Sequence, residues 1–447
     1  MKKVLVAGAA LMLAGSANAG VKNASVDAGV TISGAAQVTY VGQSDYLRDA
    51  AKADQYNGYS DYFESRISLD FEAKSQSGIK VKAGMYFDDY KYYDDAIWEG
   101  VEKDSVTVDY AYFAVPMGPV TIEAGRMPLS FTKFYSWDIR PTRVRAVYKS
   151  GNFTIIPFVG VVSETADSGM DNWDDNDFMQ YGIVPIVNIN GWTLKAFMRY
   201  NDDAQEWDSA HNVVSVNVTD PDGSNPRQML IPEGDADGSR IDVGGGLSAP
   251  GMQFAQALTP SNDRSGFDGN FHINNYGATN SVIGFEAEVA YMSADFQQKE
   301  DDGIGGYVQF SKKLGAFTPA VLAGMTQDGF EADKHFGFVM VGGDESTTVV
   351  KKVGNPDGEL FFAAFVANYA ITPQLNLTGN LLYADYDNNT EGRVTDAIEV
   401  SGAASYALSS GASLTYKAGY LATNFDDDVD ALDDAYFGHM LQLELAF

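Results

Sequence analysis

Cysteine is absent from the 447-residue sequence, and histidine occurs only at His211, His272, His335 and His439. Without cysteine the chain has no disulfide framework, no thiol nucleophile and no cysteine-based zinc site. The motifs HExxH, CxxC and GxSxG, which would supply a metal site or a nucleophile, are also missing. We therefore expect no enzyme activity and no required cofactor.

Long apolar runs are almost as scarce. One run, from Val4 to Gly15, follows Lys2 and Lys3 and precedes the small-residue pattern Ala17-Asn18-Ala19. This order predicts a signal peptide over residues 1–19 and a single mature domain over residues 20–447. No other stretch approaches eighteen apolar residues, and no apolar stripe has helical spacing. Only strands closed into a barrel could therefore carry the mature chain through a membrane.

Basic residues are also in short supply, with 30 Lys and Arg against 61 Asp and Glu, for a formal net charge of −31. Such a charge excludes nucleic acid as a partner and favours divalent cations. Glycine (45), tyrosine (25) and phenylalanine (26) are abundant, whereas proline (14) is not. Tight turns and an aromatic lipid belt would give this composition in a barrel, although a secreted acidic protein could share the charge balance.

Alternation of apolar and polar residues is the dominant pattern. In the last thirteen residues, Phe437, Leu441, Leu443, Leu445 and Phe447 share one face, and Gly438, Met440, Gln442, Glu444 and Ala446 share the other. A strand with one apolar and one polar face is predicted. The same alternation before and after the turn 75–78 predicts a hairpin.

Short and long connections alternate along the whole chain. Eight short turns are predicted, at 75–78, 116–119, 150–152, 190–191, 277–280, 314–316, 372–374 and 408–411. Nine long polar segments separate them, at 41–61, 88–104, 127–142, 165–177, 201–265, 297–303, 327–359, 387–393 and 424–434. This rhythm predicts eighteen strands. Sixteen is the alternative, because the glycine- and asparagine-rich stretch 267–276 is a weak strand.

Two stretches break the alternation. Residues 153–162 and 183–189 are apolar on both faces and contain Pro157 and Pro185. Proline loses a ladder hydrogen bond, so we expect both prolines near strand ends or bulges. Apolar residues on both faces favour either an inner wall covered by an inward-folded loop or a soluble sheet packed on both sides.

Together, the signal peptide, the hairpin rhythm and the terminal Phe447 resemble those of bacterial outer-membrane porins. The resemblance implies an all-β, antiparallel up-and-down transmembrane barrel with short periplasmic turns and long outer loops. It also implies that Phe447 is an assembly signal read by the barrel-assembly machinery. Outer-membrane lipid and lipopolysaccharide would surround the barrel, and a homotrimer is expected.

In general porins the third long loop folds inward and forms the constriction. By position, segment 127–142 resembles that loop, although it is short and basic. We predict lumen and constriction residues on this loop and on the polar faces of nearby strands: Arg66, Lys80, Lys82, Glu123, Arg126, Lys133, Asp138, Arg140, Arg143 and Arg145. The alternative is that segment 201–265 folds inward instead. A second alternative is that these charges only keep the lumen wet.

Acidic clusters lie in the long segments and are candidate Ca²⁺ ligands, because Ca²⁺ takes six to eight oxygen ligands. The candidates are Asp171, Asp174, Asp175, Asp235, Asp237 and Asp242. The run from Asp235 resembles the opening of a calcium loop, but its twelfth position is Gly246 rather than a bidentate glutamate. Solvated loop acids are the alternative.

The sequence therefore predicts an outer-membrane channel for passive diffusion of small hydrophilic solutes and ions, with selectivity biased by basic lumenal residues. Two alternatives stay open. One is a plugged barrel with a structural or adhesive role and cation-binding acidic loops. The other is a soluble secreted β-rich hydrolase that uses paired carboxylates.

Overall fold

The structure is a computed structural model. It describes residues 29–44, 59–93, 106–137, 139–163, 178–203, 213–218, 227–232, 265–278, 283–294, 301–342, 347, 350, 352–355, 358–388, 394–425 and 435–447. In these ranges, no helix is both long enough and apolar enough to cross a membrane.

Twenty strands form in the described chain. The first ten are β1 (Gly29–Ser44), β2 (Tyr59–Lys74), β3 (Lys80–Tyr93), β4 (Val106–Met117), β5 (Val120–Arg126), β6 (Thr142–Ser150), β7 (Phe153–Ser163), β8 (Phe178–Ile189), β9 (Trp192–Asp203) and β10 (Val213–Val218). The others are β11 (Arg227–Pro232), β12 (Gly266–Asn274), β13 (Gly284–Met292), β14 (Gly303–Ser311), β15 (Phe317–Gln327), β16 (Gly358–Ala370), β17 (Leu375–Asn388), β18 (Val394–Ser409), β19 (Ala412–Phe425) and β20 (Ala435–Ala446).

Eighteen of these strands form one closed antiparallel barrel, which confirms the predicted fold and strand number. The last strand closes the barrel against the first, with Ala35 opposite Ala446 and Gln43 opposite Gly438. The backbone of Phe447 continues this pairing through two hydrogen bonds with Gly34, of 2.9 and 3.0 Å. The two terminal strands therefore pair with each other and close the barrel.

The weak stretch that separated eighteen strands from sixteen does form a strand. β12 pairs with β9 on one side and β13 on the other, so the sixteen-strand alternative was wrong. The remaining two strands, β10 and β11, pair only with each other and lie within the long segment 201–265.

All eight predicted short turns connect neighbouring strands. The turn between β8 and β9 shows why its sequence suits a hairpin. Asn190 has φ 51° and Gly191 has φ 82°. Two-residue type I′ turns need positive φ at both central residues, and Asn-Gly is the favoured pair. The turn residues thus set the register of the two strands.

Large apolar side chains cover the outside of the barrel. Val144, Val289, Leu381 and Leu443 are exposed there, with Val289 57% exposed. Their neighbours in sequence point inward, as Glu288 does at 1% exposure. The outer face is therefore the apolar face that the alternation predicted, and the inner face holds the polar residues.

Proline positions differ from the prediction. Pro157 and Pro185 lie within β7 and β8 and pair with residues of the opposite strand, Ile183 and Ile155, so the expectation of strand ends or bulges was wrong. Pairing is instead interrupted on the other side of each strand. The β6–β7 ladder has no pairs at residues 146–147 of β6, which lie opposite Pro157 and its neighbour in β7. The β8–β9 ladder has no pairs at residues 184–185 of β8, which include Pro185. A proline has no N–H to give there.

Candidate functional site

Two long connections fold into the barrel and divide its interior. We call residues 127–141, between β5 and β6, loop A, and the described residues of 328–357, between β15 and β16, loop B. Apart from the buried Arg143, the inner-face charged side chains of β2 to β6 lie outside their packing and are called the charged wall. The inner faces of β7 to β9 and of β12 to β20 that contact the loops are called the packed half.

The charged wall begins with a lysine pair that shares one carboxylate. Lys82 Nζ lies 2.8 Å and Lys80 Nζ 3.4 Å from the carboxylate oxygens of Glu72. The three side chains keep 33–38% of their surface exposed although they point inside the barrel. Because two ammonium groups share one carboxylate, this trio keeps a net positive charge.

Further along the wall, two arginines pair with carboxylates on neighbouring strands. Arg145 of β6 pairs with Glu123 of β5 through its Nε atom. Arg140 of loop A donates to Asp109 Oδ2 at 2.9 Å. Strand register explains the first pair, since Glu123 lies directly opposite Arg145. Loop A therefore adds its own cation to the wall.

Tyrosines hold the remaining wall charges. The Arg66 guanidinium lies 3.8 Å from the centre of the Tyr86 ring, a cation–π contact. The Tyr86 hydroxyl donates to Asp109 at 3.2 Å, and the Tyr110 hydroxyl donates to Asp70 at 2.5 Å. The wall is thus a connected array of cations, carboxylates and phenols.

Loop A crosses the lumen and binds the opposite side of the barrel. The Thr132 hydroxyl donates to Glu288 of β13, and the Tyr135 hydroxyl donates to Asp268 of β12. Arg199 of β9 also donates to Asp268, at 2.8 Å through Nε. Hydrogen bonds donated to buried carboxylates are strong in the low-dielectric interior of a protein. They fix the loop to the packed half.

Aromatic packing covers the strands that are apolar on both faces. Phe131 of loop A lies 5.6 Å from Phe197 of β9 between ring centres, and Phe158 of β7 lies 5.7 Å from the same ring. Phe158 and Val184 of β8 are both buried in this cluster. An inward-folded loop therefore explains the two-sided apolar pattern of β7 and β8.

Loop B is held by one buried carboxylate. Glu399 of β18 is 0% exposed and accepts backbone N–H groups from Val339, Met340 and Val341 at 3.0, 3.1 and 2.8 Å. Met340 packs so closely on β20 that a Cβ at Gly438 would lie 3.1 Å from its Sδ. Loop B therefore covers the inner faces of β18 to β20.

The two loops also bind each other. The Asp333 N–H donates to the Phe134 carbonyl at 2.8 Å, and the Trp137 N–H donates to Asp333 Oδ2 at 3.0 Å. Phe134 is fully buried, with its ring 5.5 Å from Phe330 and 4.8 Å from Phe336. Loops A and B thus form a single partition next to the charged wall.

Most of the predicted lumen residues point inside the barrel, but two do not join the wall. By strand alternation Arg126 shares the outer face with Val144, since it pairs with Thr142. Arg143 points inward but is only 2% exposed. Lys133 is on loop A, 6.0 Å from the Trp137 ring centre. Asp138 lies outside the described residues.

The candidate calcium ligands Asp171, Asp174, Asp175, Asp235, Asp237 and Asp242 all lie outside the described residues. In the part of the chain that the structure describes, no group of three or more His, Asp or Glu could hold a metal ion. One acidic outer residue, Asp302, accepts the Ala294 N–H and the Tyr291 hydroxyl, each at 2.8 Å. The Ala294 and Tyr291 hydrogen bonds lower the pKa of Asp302.

Sequence reasoning missed the inward fold of segment 327–359, which forms loop B, and the anchoring carboxylates Asp268, Glu288 and Glu399. A signal was present, because each acid lies on the inner face of a strand with apolar neighbours on the outer face. Glu399, for example, stands between Ile398 and Val400, which are exposed outside. Alternation places these acids on the inner face but carries no signal of their burial.

No family model matches the chain, and no curated protein is detectably similar to it in sequence. Among solved structures, the fold is similar to that of the outer membrane protein OprD from Pseudomonas aeruginosa, with 9% identity, a TM-score of 0.54 and 94% of both chains covered. It is also similar to OpdQ of Pseudomonas aeruginosa, with 9% identity, a TM-score of 0.53, and coverage of 94% of this chain and 97% of that one.

A third similar structure is OccK3 (OpdO) of Pseudomonas aeruginosa, with 10% identity, a TM-score of 0.53, and coverage of 94% of this chain and 95% of that one. At such identities the similarity concerns the fold. The closed barrel and its apolar outer face confirm the predicted bacterial outer-membrane β-barrel.

Proposed function

We propose that the protein is a channel through which small hydrophilic solutes and ions diffuse across the outer membrane. One observation carries the proposal. Lys80, Lys82 and Glu72 keep a third or more of their side-chain surface exposed, although they lie on the inner face of a closed barrel. Charged side chains that solvent reaches inside a barrel line a water-filled space.

Conductance of the purified protein in a planar lipid bilayer tests the channel itself. We expect stepwise openings in potassium chloride, because water and ions pass along the charged wall beside the two loops. A protein that inserts, as shown by heat-modifiable migration in detergent gels, yet gives no steps would contradict a channel.

Selectivity in this proposal comes from the basic residues of the charged wall. Lys80 and Lys82 share Glu72, so the trio is net positive, and Arg145 and Arg140 present further cations. Fixed charges on the wall of a narrow pore bias which ions enter. The expected result is a preference for anions over cations of similar size.

A matched pair of variants tests the basis of selectivity. Arg145→Gln removes a cation of the charged wall, and we expect the anion-to-cation permeability ratio to fall about twofold or more. Arg126→Gln removes the same charge from the outer face of the neighbouring strand, and the ratio should stay unchanged. The measurement is the reversal potential in a salt gradient. Equal ratios in both variants would contradict the role of the wall.

The buried apolar cluster of the packed half favours a second candidate function. Loops A and B fill that part of the lumen with Phe131, Phe134, Phe330 and Met340. A barrel plugged by its own loops could have a structural or adhesive role and bind cations at its acidic outer segments. The absence of conductance steps from inserted protein would favour this candidate.

Three further expectations are part of the proposal. Ca²⁺ binding by Asp171, Asp174, Asp175, Asp235, Asp237 or Asp242 is tested by calorimetry with the purified barrel. A homotrimer is tested by the mass of the detergent-solubilised protein. Recognition of Phe447 by the barrel-assembly machinery is tested by deletion of Phe447, which should lower insertion while inserted barrels conduct as before.

A further inference from the structure

Arg143 is a buried cation that no described residue neutralises. Its Nε, Nη1 and Nη2 atoms are all buried and have no hydrogen-bond partner among the described residues, and the residue is 2% exposed. Its guanidinium lies 4.6 Å from the centre of the Phe158 ring, a cation–π contact. A guanidinium keeps its charge at all relevant pH values.

The strand register explains why the wall provides no carboxylate here. The residues directly opposite Arg143 are Gly125 in β5 and Gly160 in β7. A Cβ added at Gly160 would lie 3.3 Å from the Cβ of Arg143. Because both cross-strand neighbours are glycines, neither adjacent strand offers Arg143 a side chain at the position directly opposite it.

The nearest charged neighbours make the deficit larger. Arg145, two residues along β6, and Arg199 of β9 both act electrostatically on Arg143, and both are cations. The carboxylates close to them are already engaged, Glu123 by Arg145 and Asp268 by Arg199 and Tyr135. An uncompensated buried charge is among the least favourable features a fold can contain.

We propose that a small monovalent anion binds beside the Arg143 guanidinium, between β5 and β7, as a fixed part of the folded barrel. The fork of N–H donors on Arg143 suits a halide or a planar carboxylate such as formate. Small size follows from the burial of all three guanidinium nitrogens. The anion neutralises the charge that the strand register leaves unpaired.

Bromide in crystals of the wild-type protein gives a direct test. We expect an anomalous-scattering peak within about 3.5 Å of a guanidinium nitrogen of Arg143. Crystals grown with formate instead should show a planar group at the same nitrogens, which distinguishes the two kinds of anion. Peaks only at surface lysines would overturn the proposal, since they would represent adventitious ions.

Stability in solution gives an independent test. At constant ionic strength, replacing gluconate by chloride should raise the thermal midpoint by about 1–2 °C for each tenfold increase above the dissociation constant. Arg143→Met should remove this dependence. Lys149→Met, which removes one cation further along the same strand, should keep it. A wild-type midpoint that is the same in chloride and gluconate would overturn the proposal even if Arg143→Met does not fold.

Discussion

The charged wall and the packed half share one barrel and differ in what their inner faces carry. On the wall, Lys80, Lys82 and Glu72 stay a third exposed and are held by side chains on adjacent strands. In the packed half, Glu288 and Glu399 are fully buried and bind loops that are far away in sequence. The outer faces of the two regions are alike, so inward residues alone decide whether a strand lines water or supports a plug.

Burial also changes what each charge does. An exposed ion pair contributes little to stability because water screens it, whereas a buried carboxylate with its full set of donors fixes a structure. We therefore expect substitutions in the packed half to change stability and pore size, and substitutions on the wall to change ion preference.

The largest effect should follow Phe134→Ala. The ring is fully buried between Phe330, Phe336 and Tyr307, at the junction of loops A and B. Truncation of a buried phenylalanine costs about 3–5 kcal/mol. Here we expect a lower thermal midpoint and a larger, noisier conductance, because the partition loses its centre.

Phe365→Ala is the matched control for that change. Phe365 is 42% exposed on the outer face of β16, away from both loops. The conductance of the Phe365→Ala variant should equal that of the wild type. If Phe134→Ala leaves conductance unchanged as well, the loops do not bound the open path.

A smaller effect is expected from Glu399→Gln, which keeps the shape of the side chain that binds loop B. The carboxylate accepts three backbone N–H groups, and an amide replaces one acceptor oxygen by a donor. Hydrogen bonds to a charged group contribute about 1.5–3 kcal/mol each. The free energy of unfolding should therefore fall by about 2–3 kcal/mol. Conductance should rise as loop B detaches from β18.

Glu444→Gln removes a carboxylate from the inner face of β20 and serves as the control for Glu399→Gln. Hydrogen exchange measured by mass spectrometry separates the two. Faster exchange of the amides of Val339, Met340 and Val341 is expected in Glu399→Gln alone. Slow exchange at these amides in both variants would show that other contacts hold loop B.

Tyr135→Phe should lower the free energy of unfolding by less than Glu399→Gln does. The change removes one hydroxyl that donates to Asp268, while Arg199 continues to pair with that carboxylate. We expect a loss of about 1–2 kcal/mol and little change in mean conductance. Tyr148→Phe, on the exposed outer face of β6, should be neutral. A neutral Tyr135→Phe would mean that loop A is held mainly by its aromatic packing.

The barrel itself could be predicted from the sequence, whereas the division of its interior depends on long-range contacts. Alternation gave the two faces of β20, and turn spacing gave eighteen strands, because both are local properties. The Thr132–Glu288 contact joins residues 156 positions apart, and Glu399 lies about 60 positions from the N–H groups it binds. No local pattern contains such a pairing, so the inward fold of segment 327–359 was not predicted.

Strand register also limited what could be predicted from the sequence. Arg126 and Arg143 both occur in a basic stretch that sequence alone treats as one group. The structure separates them, because Arg126 falls on the outer face and Arg143 lies between two glycines on the inner face. A one-residue difference in strand phase decides the face of every side chain, and the polar loop before β6 gives no signal of that phase.

The smallest effect on stability, and the sharpest test of the comparison, is expected from Lys82→Gln. Its pair with Glu72 is one-third exposed, so its loss should cost less than about 1 kcal/mol. The trio with Lys80 then becomes neutral, and the anion-to-cation permeability ratio should fall while the thermal midpoint stays close to that of the wild type. Reversal potential and calorimetry on one sample measure both. A variant that loses stability without a change in ion preference would show that the wall, like the packed half, serves the fold rather than the pore.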